Sequence, residues 1–512
     1  MNKKKEWIIL FLYITGFLVI ASTIAFLQPL ADTQVVTDAQ LAAGTPDAAD
    51  CRIILSNPPD EHARFLIPRY ICEHGTIPTG FEEEVRIPSY GFSYGLYNVF
   101  PYIVQGYLMR FVSLFTDSKL LLLYAARFVN VLSGTCMAYL VYLLSKRLFG
   151  DKGFRWVFCF AVMYLPQSLF LHTYVNTDSM CMLAVTMMLY ALVRAYEEGF
   201  TGGNNQLLSG GIILCALSYY NAYGYILSSI LLFLVYFLRK QGGKWSYDWR
   251  KMLRKGIFIS VIVLAGISWW FIRSYILYDG DMLGLATREK MAAEYAIEAV
   301  NPQAMSTYES KGYTILQMMK EEDFMEGAFY SFVAAFGSMA IFADIWIYRF
   351  YKIFFAAGTF GCFLYCALCL IKGRSISQAV IHRGNAHSSF PAGETTSFRL
   401  SGRTNSAHCA SWQNVFFHIN MLFCIAMPLI LLIHYAYTMD FQNQGRYLLP
   451  SVIPIMYYMT RGFETLTTLK IIPTWLKRIT IALLILLPLA STLWMTYYAA
   501  LPLYFQTGVV LE

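Results

Sequence analysis

The sequence has 512 residues, of which 57% are hydrophobic, 17% aromatic and only 14% charged. Ordinary soluble domains carry about 25% charged residues. The composition therefore excludes a soluble globular enzyme, a disordered chain and a nucleic-acid-binding protein. We attribute the formal net charge of +7 to cytoplasmic loops that lie beside anionic lipid. The composition predicts an all-α polytopic membrane protein.

Eleven apolar segments are close in length to a transmembrane helix, which needs roughly 20 residues. In chain order they are 7–30, 120–145, 155–173, 179–196, 206–220, 223–238, 256–276, 350–371, 415–436, 447–463 and 479–499. The first is too long for the apolar part of a cleaved signal peptide, so we expect a signal anchor. The fifth and sixth have almost no loop between them.

Lysine and arginine in the short loops predict the orientation, because cytoplasmic loops carry an excess of both. Basic residues occur at the N-terminus and then in every second loop: Lys3, Lys4, Lys5, Lys146, Arg147, Lys152, Arg155, Arg239, Lys240, Lys244, Arg250, Lys251, Arg254, Lys255, Lys372, Arg374, Arg461, Lys470, Lys477 and Arg478. We therefore expect a cytoplasmic N-terminus, and eleven spans then place the C-terminus outside.

This topology creates two long outer loops, 31–119 and 277–349, and one long cytoplasmic loop, 373–413. The cytoplasmic loop is rich in Ser, Gly, Arg and His without an apolar period, which is typical of a flexible linker. The expected domains are an N-terminal transmembrane module, 1–372, and C-terminal transmembrane helices, 414–512. The absence of an internal repeat disfavours transporters built from inverted repeats.

The first outer loop contains the segment 57–65, NPPDEHARF. Its prolines predict an extended entry, after which Asp60 stands where a helix begins. The helix that follows, which carries Arg64, is predicted to be amphipathic and to lie on the outer membrane surface. Neighbouring helical residues point about 100° apart, so Asp60 and Glu61 cannot both face one atom, and Asp60 is the better catalytic candidate. In the alternative interpretation Asp60 caps the helix and Glu61 favours its positive end, without any catalytic role.

Two further outer segments carry charged residues at span ends. Segment 172–179, HTYVNTDS, places Asp178 in the same compartment as Asp60, although an Asp or Asn cap at the start of a span is the simpler explanation. Segment 440–450, DFQNQGRYLLP, places Arg446 at the outer end of a span. A guanidinium there either binds phosphate in bidentate fashion or extends to the lipid headgroups.

Other candidates are cations and tyrosines near the outer boundary. The cations are Arg127, Arg273, Arg288, Lys290 and Lys311. Arg127 falls inside the second span, so it is either a functional residue or a partner of carbonyls on another helix. The tyrosines Tyr219, Tyr220, Tyr223 and Tyr225 either stack on a sugar ring or belong to an aromatic belt.

No cofactor is predicted, because the sequence lacks a P-loop, a Gly-rich dinucleotide turn and a Gly-x-Ser-x-Gly elbow. The eight histidines show no zinc-type spacing, and the need for a divalent metal stays open. Most of the eleven cysteines lie in apolar runs. Cys51 and Cys72 share the first outer loop, where a disulfide forms only if their Cβ atoms meet.

Taken together, these features resemble a family. An N-terminal span, a long outer loop with the Asp60-Glu61 pair, and Gly445-Arg446-Tyr447 at the head of a late span are similar to a bacterial integral-membrane family classed with GT-C-type glycosyltransferases. Protein mannosyltransferases and aminoarabinose transferases are more distantly similar. The resemblance covers most of the chain apart from 373–413. It implies a GT-C-like bundle of about 11 transmembrane helices, with amphipathic helices in the first outer loop.

The resemblance also implies a function. It implies a plasma-membrane transferase that moves a sugar from a polyprenyl-phosphate carrier to a glycan, lipid or protein acceptor of the cell envelope at the outer face. Carried over by position, Asp60 is the general base and Glu61 supports acceptor binding. Asp178 is the second outer acidic residue and Arg446 holds the phosphate. The expected substrate-binding residues are these two together with Tyr447, Arg64 and Arg273. The directions of Asp60 and Glu61 favour a single displacement with inversion.

Two other functions stay open at this point. A transporter or flippase of a lipid-linked saccharide would bury ionisable residues along a path at mid-membrane. A non-catalytic envelope-assembly factor would tolerate the loss of charge at Asp60.

Overall fold

The computed structural model describes residues 3–30, 56–241, 244–303, 306–371, 409–469 and 471–507. In these residues the fold is helical, as predicted, and strands occur only in two small antiparallel hairpins. The first hairpin pairs β1 (Leu238–Gln241) with β2 (Lys244–Tyr247), and the second pairs β3 (Ala335–Phe336) with β4 (Ile341–Phe342).

The α-helices of the described residues are numbered in chain order. The first nine are α1 (Lys3–Leu27), α2 (Glu61–His74), α3 (Phe100–Val112), α4 (Lys119–Leu148), α5 (Lys152–Met163), α6 (Pro166–Phe170), α7 (Asp178–Glu198), α8 (Gly202–Ser218) and α9 (Tyr223–Tyr236). The others are α10 (Trp249–Leu277), α11 (Leu285–Tyr295), α12 (Ile315–Glu321), α13 (Phe324–Val333), α14 (Ile345–Ile371), α15 (Cys409–Thr438), α16 (Val452–Thr467), α17 (Thr474–Trp494) and α18 (Leu501–Thr507). A π-helical segment, Met495–Ala500, joins the last two, and a 3-10 segment, Gly445–Ser451, leads into α16.

Each of the eleven predicted spans coincides with helix, but within the described chain only seven helical segments are long and apolar enough to cross a membrane. These are α1, α4, α7, α10, α14, α15 and the continuous segment from α17 to α18. The other four predicted spans correspond to the α5–α6 pair, α8, α9 and α16. The span 155–173 is interrupted because Pro166 disfavours helical geometry at Leu165, whose backbone is extended. The count of eleven full-length spans is therefore too high.

The first outer loop differs from the prediction, since its described part is folded. Helix α2 packs against α3, and its apolar residues Ile67 and Ile71 are fully buried in a cluster that includes Leu123 of α4. Its apolar face is therefore covered by protein, which corrects the expectation of a helix lying on the membrane surface. The second outer loop contains α11, α12, α13 and the β3–β4 hairpin.

The largest hydrophobic cluster joins the N-terminal and C-terminal helices. Helix α16 packs against α14 and α5, and α9 packs against α15. The approach of α14 to α16 requires glycine, because a Cβ on Gly361 would overlap the backbone of Gly462. The predicted linker, 373–413, lies outside the described residues except for the first turn of α15, which begins at Cys409.

Candidate active site

Asp60 stands immediately before α2, at the position where a cap was the alternative interpretation. Its backbone has a φ of 57°, in the left-handed region, and its side chain accepts no capping hydrogen bond. Aspartate tolerates this conformation better than most residues, at a modest cost in strain. The capping interpretation is therefore wrong for this carboxylate, which is 39% exposed and faces other groups.

Asp60 belongs to a row of four charged side chains, Arg446, Asp60, Arg64 and Asp178, which we call the ionic row. Nη2 of Arg446 donates a hydrogen bond of 3.1 Å to Oδ2 of Asp60. Arg64 bridges the two carboxylates, with Nη2 at 3.7 Å from Asp60 Oδ2 and Nη1 at 3.1 Å from Asp178 Oδ2. The row joins α2, the first residue of α7 and the 3-10 segment before α16, so the fold assembles it from distant parts of the chain.

The two arginines of the row are nearly buried and keep unused donors. Arg64 is 7% exposed and Arg446 is 8% exposed. Nε of each is buried without a hydrogen-bond partner among the described residues. A buried donor without an acceptor is costly, so both arginines have the capacity to bind a further acceptor such as a phosphate oxygen. Extension of Arg446 to lipid headgroups is excluded by its burial and its pairing with Asp60.

Tyr447 supports Arg446 from the same 3-10 segment. Its hydroxyl accepts a hydrogen bond of 3.1 Å from Nη2 of Arg446 and donates one of 2.9 Å to Oε1 of Gln442. The guanidinium of Arg446 lies 5.0 Å from the centroid of the Tyr447 ring. The predicted Gly-Arg-Tyr motif thus holds one cation against the exposed carboxylate.

The charges of the row reinforce one another. Burial acts to raise the pKa of Asp60, but the positive charges of Arg446 and Arg64 outweigh it and lower this pKa below its usual value. Burial also acts to lower the pKa of Arg446, yet Tyr447 and Asp60 raise it well above the ordinary arginine value. Asp60 is therefore ionised at neutral pH and available to accept a proton.

Asp178 contributes to the row instead of capping its helix. The hydrogen bond at the start of α7 comes from Asn176, whose Oδ1 accepts from the backbone nitrogen of Ser179 at 2.9 Å. The side chain of Asp178 is 18% exposed and is directed at Arg64. Asn176 is therefore the residue that caps the start of α7, whereas Asp178 belongs to the ionic row.

The structure corrects the expectation that Glu61 supports acceptor binding. Glu61 is fully buried, accepts hydrogen bonds of 2.8 Å and 2.6 Å from Arg127, and accepts another of 2.7 Å from the backbone nitrogen of Val175. An acceptor molecule cannot reach this carboxylate, so Glu61 does not bind it. Arg127 also donates to the carbonyl oxygens of Ala25 and Gln28, each at 2.9 Å. Arg127 is therefore a structural cation, in line with the alternative that it pairs with carbonyls of another helix.

Arg273 is also separate from the row. Its Nη2 donates a hydrogen bond of 2.6 Å to the carbonyl oxygen of Pro78, and its guanidinium lies 4.8 Å from the centroid of the Trp270 ring. These contacts fix Arg273 to the first outer loop, and the structure gives no support to its prediction as a substrate-binding residue.

A group of aromatic rings beside the row was missed by the sequence analysis. We call Phe92, Tyr94, Tyr97 and Tyr220 the aromatic wall. The guanidinium of Arg64 lies 5.1 Å from the Tyr94 ring, and Tyr97 contacts Tyr220 with ring centroids 6.0 Å apart. The predicted tyrosine cluster thus contributes Tyr220 to the wall. The available signal was segment 90–97, YGFSYGLY, in which four of the eight residues are aromatic.

The possible metal ligands and the cysteines of the first outer loop lie outside the ionic row. Glu73, His74 and Glu84 bring potential ligand atoms within 4.8 Å of one another on an exposed surface, which the sequence spacing did not reveal. Nε2 of His74 contacts Oε2 of Glu84 at 2.8 Å. Cys72 is buried on α2, whereas Cys51 lies outside the described residues, so the structure does not test a disulfide between them.

Comparison with known proteins finds that one segment of the chain is similar to a family of membrane proteins. Residues 79–319, just under half of the chain, match the family described as "Predicted membrane protein (DUF2142)". This segment includes Asp178 and all four residues of the aromatic wall, but neither Asp60 nor Arg446. No curated protein matches the chain.

Solved structures of an oligosaccharyltransferase from Archaeoglobus fulgidus are similar to the chain. The structure of AglB with an inhibitory peptide and a dolichol-phosphate is 12% identical, with a TM-score of 0.48, and covers 100% of this chain and 57% of that one. The structure with Zn and sulfate is 14% identical, with a TM-score of 0.44, and covers 97% of this chain and 53% of that one. The apo structure is 14% identical, with a TM-score of 0.46, and covers 98% of this chain and 56% of that one. This chain spans a little more than half of the length of these proteins.

Proposed function

We propose that the protein is a membrane glycosyltransferase that transfers a sugar from a polyprenyl-phosphate carrier to an acceptor of the cell envelope, with inversion at the anomeric carbon. One observation carries the proposal: the exposed carboxylate of Asp60 lies 3.1 Å from a buried guanidinium of Arg446. Displacement of a glycosyl phosphate needs a base for the acceptor proton and a cation for the leaving phosphate. The pair supplies both within one site.

The reaction follows from these two groups. The acceptor hydroxyl transfers its proton to Asp60 while its oxygen attacks the anomeric carbon. The bond between that carbon and the phosphate oxygen breaks, and its electron pair leaves with the phosphate, which Arg446 stabilises. The buried Glu61 is closed to the sugar and Asp178 is held by Arg64, so neither supplies a second nucleophile. A single displacement, which inverts the anomeric configuration, is therefore the pathway that we propose.

The pairing of Asp60 with Arg446 also couples base strength to donor binding. While Arg446 donates to Asp60, the positive charge keeps the pKa of the carboxyl low and makes it a weak base. A donor phosphate bound to Arg446 would bring negative charge beside Asp60 and raise its pKa. Asp60 would thus become a stronger base when the donor is in place.

The outer face is our proposal for the location of the row. Arg147, at the end of α4, forms an ion pair with Glu197 near the end of α7, whereas Asp178 begins α7. The row and this basic loop thus lie at opposite ends of α7, which is about 30 Å long by its rise per residue. Tyr142 donates to Glu6 at 3.0 Å, which places the start of α1 at the basic end. Because basic loops are cytoplasmic, the row faces outwards.

The described residues favour surface chemistry over translocation. Arg127, the cation that falls inside a predicted span, is fully buried and neutralised by Glu61, so it does not line a path for a charged headgroup. The accessible charges of the row lie instead at helix ends. The experiment below therefore treats a flippase and an assembly factor as the alternative functions that its results would reveal.

The test uses the purified full chain in liposomes, with polyprenyl-phosphate sugars as donors and envelope glycans, lipids and proteins as acceptors. Asp60→Asn is expected to lower transfer roughly 10²–10⁴-fold, as for the loss of a general base. Arg446→Gln is expected to lower it roughly 10²–10³-fold, as for the loss of an electrostatic contact in the transition state. Asp117→Asn, on an exposed residue between α3 and α4, is the control.

The outcomes separate the three functions. Wild-type transfer by Asp60→Asn would refute the assignment of the base, and a product with the donor's configuration would refute inversion. Movement of the donor across liposomes without any transfer would identify a flippase. Neither transfer nor movement, together with a functional Asp60→Asn in cells, would identify an assembly factor.

A further inference from the structure

Arg288 of α11 is a further cation, which lies at the aromatic wall. Its guanidinium lies 4.6 Å from the centroid of the Phe92 ring. Its Nε is buried without a hydrogen-bond partner, and in the described part of the chain it forms no ion pair with a carboxylate. Arginine stays charged in proteins. An uncompensated, partly buried guanidinium is costly unless something neutralises it, and an anionic ligand would do so.

The aromatic wall connects Arg288 to the ionic row. The ring of Phe92, on which Arg288 lies, contacts Tyr94 with centroids 5.7 Å apart. Tyr94 also contacts Arg64, whose guanidinium lies 5.1 Å from the centroid of the Tyr94 ring. Two aromatic rings thus separate the unpaired guanidinium from the guanidinium that bridges Asp60 and Asp178.

Tyrosine hydroxyls complete the surroundings of Arg288. Tyr97 contacts Phe92 with ring centroids 6.4 Å apart, and Tyr97, Tyr435 and Tyr220 all interact electrostatically with the Arg288 charge. Burial raises the pKa of Tyr97 well above the ordinary tyrosine value. These phenols stay neutral at physiological pH, so they can donate hydrogen bonds to an anion but cannot neutralise the cation.

We infer that Arg288 and the aromatic wall form a second anion subsite, which binds a second anionic group of the donor. The inference rests on the proposed function and specifies its substrate class. The donor would carry one phosphate at Arg446 and a further anion at Arg288. That anion is either the second phosphate of a diphosphate-linked carrier or a carboxylate on the sugar, since a guanidinium binds both in bidentate fashion.

Binding of short prenyl probes to the purified full chain in detergent tests the subsite. The probes are farnesyl phosphate, farnesyl diphosphate, glucosyl farnesyl phosphate and glucuronosyl farnesyl phosphate. The wild type is expected to prefer one of the two probes that carry two anionic groups, farnesyl diphosphate or glucuronosyl farnesyl phosphate, over its counterpart with one anionic group by about tenfold or more, the range of a charged hydrogen bond. Arg288→Gln is expected to abolish that preference while farnesyl phosphate binds as before.

Two controls accompany the variant. Lys290→Gln removes an exposed charge from the same helix and is expected to keep the preference. Arg288→Lys keeps the positive charge but lacks the planar guanidinium, and it is expected to keep only part of the preference. Thermal unfolding of each variant checks that the fold is intact.

Each outcome has one meaning. A diphosphate preference that depends on Arg288 identifies a diphosphate carrier, and a glucuronosyl preference that depends on Arg288 identifies an acidic sugar. No preference in the wild type, or the same loss for all probes in Arg288→Gln, overturns the subsite. Arg446→Gln separates the two proposals: if it leaves farnesyl phosphate binding unchanged, the proposed function fails, whatever Arg288 does.

Discussion

The ion pair between Glu61 and Arg127 holds the start of α2, and with it Asp60, in place. Both side chains are completely buried. Glu61 accepts three hydrogen bonds, two from Arg127 and one from Val175, while Arg127 also binds two carbonyls at the end of α1. The pair thus ties α1, α2, α4 and the hairpin before α7 together.

Glu61→Gln would leave the guanidinium of Arg127 buried without a counter-charge. Breaking a buried pair in this way costs about 3–5 kcal/mol of unfolding free energy. Replacing both partners removes the stranded charge, so Glu61→Gln with Arg127→Met is expected to cost less than the sum of the two single changes. The expected coupling is about 1–3 kcal/mol, as for residues of one hydrogen-bond network.

Denaturant unfolding of the purified full chain in detergent measures these free energies. Glu73→Gln is the matched control, because Glu73 lies on the same helix and its 3.9 Å pair with Arg69 is exposed at both residues. An exposed pair of this kind contributes roughly 0.5 kcal/mol. The reasoning would be refuted if Glu61→Gln cost no more than Glu73→Gln, or if the double variant cost the full sum.

Two further predictions concern the ionic row. Because the neighbouring arginines lower the pKa of Asp60, its ionised form adds stability that is present above the unfolded pKa of about 3.9 and is lost as the pH falls through the lower folded value. The difference in thermal stability between the wild type and Asp60→Asn should shrink as the pH falls from 7 towards 3, and a constant difference would contradict this. In Gly445→Ala, the new Cβ would overlap the carbonyl oxygen of Ala328, so we expect a cost of about 1–3 kcal/mol and weaker phosphate binding at Arg446. Gly203→Ala, which has open space, should be neutral, and equal stability of the two glycine variants would contradict the clash.

The segments that sequence analysis located best are those whose signal is local. Apolar length placed helix at each of the eleven spans, and the prolines before Asp60 marked the start of α2. Length alone could not tell a complete span from a broken one, because the break at Leu165 depends on one proline. It also could not show that the apolar face of α2 packs against α3, since a membrane surface and a protein surface select the same amphipathic pattern.

The same division applies to the charged residues. The sequence by itself determined the class of the protein, because too few charges are available for a water-facing surface. It also identified as candidates Asp60 in the first outer loop and Asp178 and Arg446 at span ends. Only the tertiary structure decided their partners. Asp60 and Arg446 are separated by 386 positions in the chain, whereas Asp60 and Glu61 are neighbours. Where α2 begins, Glu61 points into the interior at Arg127 and Asp60 stays exposed beside Arg446. The reason is that the pairing of buried charges depends on the packing of distant helices and not on neighbours in sequence.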